Sequence, residues 1–267
     1  MSFLDKFKAA ATKAGTQAST FISEATAKGL QEGQGFAQGF SLPGEAQKAA
    51  GILASFLASP DHPDSALNII PHPVLARARG LAIFQVLKAG FVFSGKAGSG
   101  IVIARLPDGS WSAPSTIMTA GVGWGAQIGA DLTDFVIVLN SDDAVRAFSM
   151  GGNVTIGGNI SATAGPIGTG GAVQTALAHP APMFSYSKSR GLFAGISLEG
   201  VVLIERKEAN KAFYGSAIPA KDILSGKVPP PEVASRLYEI IEAAEGLGEE
   251  ALAGEQQSEA VFDASEN

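Results

Sequence analysis

An α+β fold, with a coiled or barrel-like antiparallel β core flanked by N- and C-terminal helices, follows from three features of the sequence. The first is the stretch 80–140, where runs such as Gly100-Ile101-Val102-Ile103-Ala104 and Phe135-Val136-Ile137-Val138-Leu139 lie between turn signals. Period-two alternation of this kind argues for strands. The second is the glycine spaced along those strands, at Gly95, Gly98, Gly100, Gly121, Gly123, Gly125 and Gly129. Interior glycine weakens a flat sheet and marks bulges, tight bends or close backbone approach, so the sheet is expected to coil or close. The third is an internal echo. Val136-Ile137-Val138-Leu139 followed by Asp143 to Phe148 is matched, at a constant offset of 65 residues, by Val201-Val202-Leu203-Ile204 followed by Glu208 to Phe213. Two pseudo-repeated units are inferred, 90–148 and 152–213, each of several strands and a closing helix.

The elements are justified in chain order. Phe3, Phe7, Ala11, Ala14, Ala18 and Ile22 recur at spacings of three and four, with Lys6, Lys8 and Lys13 elsewhere on the wheel and Ser2 as N-cap, which predicts an amphipathic helix over 2–28. Gln31 to Pro43 is rich in Gly and Gln and reads as a linker. Ala49, Ile52, Leu53, Phe56 and Leu57 predict a helix over 45–57 that stops before Pro60. A short helical segment over 64–70 follows, and Pro73 suits the first turn of a helix to Arg79. Leu106-Pro107-Asp108-Gly109-Ser110 is a hairpin turn, because Pro presets φ and Gly accepts a positive φ. Ser141 or Asp142 caps a helix with Val145 and Phe148 inward. Strands are expected at 153–156, 159–164, 183–188 and 192–206, the last bent near Gly195 or Gly200. Lys207 to Tyr214 is a helix closed by Gly215, and a last helix over 232–245 turns Val233, Leu237, Ile240 and Ile241 inward. The organisation is then an amphipathic helix and linker over 1–43, one domain over 44–246, and an acidic disordered tail over 247–267.

Composition narrows the function. The chain has no cysteine, which excludes disulfides, thiolate nucleophiles and Cys-ligated zinc and fits a reducing compartment. No signal peptide is read at the N-terminus, where Asp5, Lys6 and Lys8 interrupt the first turns, and the most apolar stretch is too short to span a bilayer. A cytoplasmic protein is expected. The net charge of −6 is concentrated from Glu242 to the end, where every charged residue is acidic. The body is close to neutral, so nucleic acid is not an expected partner. Gly95-Lys96-Ala97-Gly98-Ser99-Gly100 lacks the ending of a phosphate loop and reads as a turn or bulge joining two strands. His62, His72 and His179 show no metal-ligand spacing, no nucleophile elbow occurs, and Asp131 with Asp134 does not form an acid/base pair. No enzyme and no cofactor or metal are expected.

The segments KAGFVFSGKAGSGIVIARLPDGSWSAPS, GVGWGAQIGADLTDFVIVLN, GGNVTIGGNISATAGPIG, FSYSKSRGLFAGISLEG and ERKEANKAFYG, spread over roughly 67–227, resemble the SYLF domain, a lipid-binding and actin-associated module of endocytic proteins. Relatives often carry a Src-homology-3 domain after this module, for which the acidic tail leaves no room here. The resemblance implies a non-enzymatic, phosphoinositide-binding adaptor, peripherally membrane-associated, with acidic phospholipid membranes and F-actin or actin-regulatory proteins as partners. It also favours a membrane role for the N-terminal helix, which the residues alone would equally allow to pack on the domain. In that role Phe3, Leu4 and Phe7 enter the acyl boundary while Lys6, Lys8 and Lys13 meet anionic headgroups. Lys88, Lys96, Arg105, Lys188, Arg190, Arg206 and Lys207 stand at predicted strand and helix ends and are the candidates for a rim that holds a phospholipid headgroup. The alternative is a β-barrel carrier of a hydrophobic small molecule such as a fatty acid, enclosed by the curled sheet.

Overall fold

The computed structural model describes residues 40–57, 70–150, 154–155, 162–164 and 181–246. The chain divides into two compact units, Met1–Ser41 and Leu42–Asn267, and the elements below belong to the second. They run α1 (Leu42–Phe56), α2 (His72–Ala76), β1 (Gly80–Ala104), β2 (Ser115–Leu139), α3 (Asp142–Ser149), β3 (Val154–Thr155), β4 (Ala162–Ala164), β5 (Met183–Glu205), α4 (Lys207–Tyr214) and α5 (Ala220–Leu224). A 3-10 turn at Glu232–Ala234 leads into α6 over 235–246.

The sheet order is β1-β2-β5-β3, antiparallel throughout except for β4, which joins β5 in parallel. β1 and β2 are each 25 residues long and β5 is 23. A straight strand of that length would reach about 80 Å, too far for the surrounding helices to cover, so the ribbon has to bend. It bends along a line that crosses all three strands. In β1 the register shifts between Phe91 and Phe93, next to Gly90, which pairs with Gly129 of β2. Gly129 and Gly191 have φ of 137° and 150°, a region that side chains rarely adopt, and Gly191 pairs with Asp131.

Beyond the bend β1 doubles back on itself. The Arg105 amide donates to the Arg79 carbonyl at 2.9 Å. A Cβ on Gly98 would stand 2.2 Å from the Gln85 carbonyl oxygen, and one on Gly100 would stand 2.1 Å from that of Ile83. Glycine is required there because two backbones meet. The sheet is therefore coiled, as its glycine content predicts, but open: among the described residues no ladder joins β1 to β3. The two halves of one strand come together where a barrel would bring together its two edges, so the barrel-like form gives way to a doubled sheet.

Both faces of the doubled sheet are covered near the strand ends, and the period of two decides which residue goes where. Leu81, Ile83, Ile101, Ile103, Val136, Val138, Phe184 and Tyr186 pack against α1, α2 and α6 through Ile52, Leu53, Phe56, Leu75, Leu237 and Ile241. Their neighbours in sequence, among them Ala82, Phe84, Val102, Ile137, Leu139 and Met183, pack against α3 and α5 through Ala144, Phe148 and Leu224. Each fully buried Leu, Ile or Phe contributes about 1.5–3 kcal/mol, so these two layers are a large source of stability among the described residues.

Several expectations are corrected. The Gly95–Gly100 run is not a turn; it lies inside β1, where Gly98 and Gly100 serve close approach and Gly95 faces open space. The strands read at 183–188 and 192–206 are one strand with its glycine bend at Gly191. α1 starts at Leu42, because Pro43 is compatible with a first helical turn. α2 stops at Ala76. Val233 is exposed, because the 3-10 turn shifts the helical phase and leaves Ala234, Leu237, Ile241 and Ala244 inward. The echo holds locally: α3 and α4 are offset by the expected 65 residues, yet Phe148 is buried while Phe213 is half-buried, with its ring edge-on to Tyr214.

Candidate membrane and partner surface

α4 is seated by a polar network that no sequence pattern announces. Asn210 is fully buried. Its carbonyl oxygen accepts from the Thr116 amide at 2.9 Å and the Thr116 hydroxyl at 2.7 Å, and its amide donates to Ser115 Oγ at 3.1 Å and Glu205 Oε1 at 3.0 Å. The entry to β2 is held further by Tyr214, which donates to the Pro114 carbonyl at 2.7 Å, and Tyr238, which donates to the Ser112 carbonyl at 2.9 Å. Burial pushes both phenols well above their ordinary pKa, so they remain protonated donors.

The seven candidate headgroup cations do not meet on one rim. Arg105 lies over Trp111 at 4.4 Å, donates to the Ala78 carbonyl at 2.8 Å and pairs with Glu245 of α6. It clamps the 106–110 turn to the last helix. Arg206 reaches Glu45 at 3.4 Å, and Lys48 reaches the same carboxylate at 2.6 Å. Glu45 is 0% exposed, and a charge so buried is tolerable only while it is paired. Lys188 donates to the Ser55 carbonyl at the other end of α1 and lies over the Phe56 ring at 4.7 Å. Burial lowers its pKa, opposed by the nearby Asp134. Arg190 pairs with Asp134, which also accepts from Gln85 at 2.6 Å. Glu45 and Ser55 are ten positions apart on one helix, or about 15 Å, so Arg206 and Lys188 serve opposite ends of α1. Lys207 is exposed beside a cleft shared with Lys211, Glu205 and Glu208. Lys88 pairs in register with Asp131, and Lys96 with Gly121. The rim read from the sequence is thus several separate sites, most of them tying the fold together.

The structure adds a surface that sequence reasoning passed over. Around the bend, Leu87, Phe91, Phe93, Val122 and Ile128 are 53%, 50%, 70%, 76% and 59% exposed. Ala89, Gly95, Ala97, Ala120 and Ala130 are exposed with them. The register places Phe91 opposite Ile128, Ala89 opposite Ala130 and Gly95 opposite Val122, so these residues share one face of the β1–β2 ladder. The available signal was the alternation from Leu87 to Ala97, whose odd positions carry no polar side chain.

Phe3, Leu4, Lys6, Phe7, Lys8 and Lys13, the linker up to residue 39, and the tail over 247–267 lie outside the described residues. Among the described residues no group of acidic, His or Cys side chains is placed to hold a metal, and no helix is long and apolar enough to cross a membrane. At Gly98 and Gly100 the two halves of β1 meet at the backbone of Gln85 and Ile83, which weighs against a ligand enclosed between them there.

Residues 120–244 match the family described as "Ysc84: Las17-binding protein actin regulator". The chain is 52% identical over 205 residues to LAS seventeen-binding protein 3 of Saccharomyces cerevisiae, covering 76% of this chain and 44% of that one. It is 53% identical over 205 residues to SH3 domain-containing YSC84-like protein 1 of Homo sapiens, covering 76% and 59%. The matched region spans about half the length of these curated relatives. No solved structure matches. Over the region that these matches cover, the chain belongs to the Ysc84 family and carries its SYLF-type domain.

Proposed function

We propose that the protein is a non-enzymatic adaptor that joins acidic, phosphoinositide-bearing membranes to the actin machinery, in the cytoplasm and in processes such as endocytosis. The observation that carries the actin part is the identity of about half over three quarters of the chain with proteins named for binding Las17. The membrane part is supported by the N-terminal pattern, in which Phe3, Leu4 and Phe7 alternate with Lys6, Lys8 and Lys13. A helix of that kind lies in the bilayer interface, held by apolar burial and by attraction to anionic lipid. Lys207, exposed beside its cleft, remains a headgroup candidate.

Sedimentation tests both parts. The full chain is expected to pellet with phosphatidylcholine vesicles that contain phosphoinositide, less so with phosphatidylcholine alone, and to pellet with actin filaments. Phe3→Asp combined with Phe7→Asp should reduce vesicle pelleting without lowering the melting temperature. Unchanged pelleting, or a lowered melting temperature, would return that helix to a packing role.

A further inference from the structure

The apolar face at the bend of the sheet lacks a covering element among the described residues, and its chemistry selects what covers it. From 87 to 99, β1 carries two charged residues, Lys88 and Lys96, both positive, and from 118 to 130 β2 carries none. Asp131 stands at the base of this arm, opposite Lys88. Among the described residues of β1 and β2 at the bend, the exposed members of the face are Leu, Phe, Val, Ile, Met, Ala and Gly, with no N–H or O–H donor among their side chains. A specific protein interface carries about one hydrogen bond per 100–200 Å² and a polar rim, for which the exposed residues described at the bend offer no side-chain donor. The acyl boundary of a bilayer asks for the reverse: exposed rings and aliphatic chains, with polar groups absent at depth and cations at headgroup level.

We infer that the bend of the doubled sheet is a membrane-inserting tip, in which Phe91, Phe93, Val122 and Ile128 enter the acyl boundary of an anionic bilayer and Lys88 and Lys96 lie at the headgroups. The inference deepens the membrane reading above and places a contact on the domain itself, independent of the N-terminal helix. The glycine bend has a role in this. It turns three strands within a few residues, so the side chains around Phe91 and Phe93 project at an apex, where their backbone can stay at headgroup level while the rings go deeper.

The chain has no native cysteine, so single cysteines can carry an environment-sensitive dye in the full-length protein. Phe93→Cys and Val122→Cys labels should shift to the blue with vesicles of phosphatidylcholine and phosphatidylserine, and a Ser225→Cys label should not. Phe91→Asp with Phe93→Asp should weaken partitioning onto those vesicles by roughly tenfold or more, the loss expected for rings that leave the acyl boundary. Its melting temperature should match the parent, since both rings are exposed, and if that variant fails to fold the dye labels decide. A parent that binds no vesicle overturns both this inference and the membrane reading. Vesicle binding with silent labels on the tip, lost on Phe3→Asp with Phe7→Asp, preserves the reading and overturns the inference. A blue shift without lipid that grows with protein concentration, together with a dimer's mass, assigns the face to a second copy and overturns it. A shift that needs actin filaments and not vesicles overturns it too.

Discussion

Replacing Gly100 by alanine adds one methyl group where β1 meets itself. The new Cβ would stand 2.1 Å from the Ile83 carbonyl oxygen, 2.4 Å from the Phe84 Cβ and 2.5 Å from the Phe84 Cα. Two of those three atoms are backbone, so no rotamer change relieves the contact and the two halves of the strand must separate. Ile83 and Ile101 lie in one core layer and Phe84 and Val102 in the other, so separation loosens both. Overpacking typically costs 1–3 kcal/mol, and with backbone as the obstacle about 3 kcal/mol is expected. For a domain of this size that is a fall of about 6–12 °C in melting temperature. Gly95→Ala is the control, because a Cβ there meets nothing within 4 Å; it should change stability by less than about 0.5 kcal/mol. Urea denaturation followed by tryptophan fluorescence measures both, with Trp111 buried in the affected layer. Equal stability of the two variants would refute the doubled strand, since a β1 that does not fold onto itself has room for a methyl at either position.

The Asn210 network and the 106–110 turn give two further tests. Asn210→Ala should cost about 2–4 kcal/mol by chemical denaturation, because it leaves the buried Thr116 amide and Ser115 hydroxyl without partners; a loss below 1 kcal/mol would mean that water replaces the side chain. Asp108 accepts from the Ser110 hydroxyl at 2.6 Å and the Ser110 amide at 3.0 Å, which lowers its carboxyl pKa below the ordinary range. A lowered folded pKa stabilises the turn above the unfolded carboxyl's pKa, and that contribution is lost as pH falls through the folded value. Ser110→Ala should raise the Asp108 pKa toward its ordinary value in an NMR titration, and an unmoved midpoint would show that the hydroxyl does not set it.

Parts of the fold were legible because they rest on local rules. The 106–110 turn forms as read, with Gly109 at φ 87° and the Gly109 amide donating to the Leu106 carbonyl at 2.9 Å. Ser141 caps α3 by accepting from the Ala144 amide, and Gly215 closes α4 in the left-handed conformation. The inward residues of α1 follow their spacing. What could not be read depends on contacts between distant segments. Glycine at 98 and 100 signals close approach, but only the fold names Gln85 and Ile83 as what approaches. Asn210 looks like an ordinary helix-surface residue in sequence, since its partners Ser115 and Thr116 lie more than ninety positions away.

The cations show why a binding surface is harder to read than a fold. A lysine or arginine at the end of a strand has the same sequence signature whether it faces solvent, a headgroup or a buried carboxylate. Glu45 decides the case of Arg206 and Lys48: a carboxylate with no solvent exposure would be untenable without them, so their charge answers a demand inside the protein. Asp134 and the C-terminal carbonyls of α1 make a similar demand on Arg190 and Lys188, and Glu245 on Arg105. Apolar exposure is the more discriminating signal here, because a fold supplies no internal reason for Phe93 and Val122 to be among its most exposed residues. Strands of ordinary length would have ended before this point, and the two core layers described draw on none of its exposed residues. The extra length of β1 and β2 is explained if the bend is there to carry that face outward to a surface other than the protein's own.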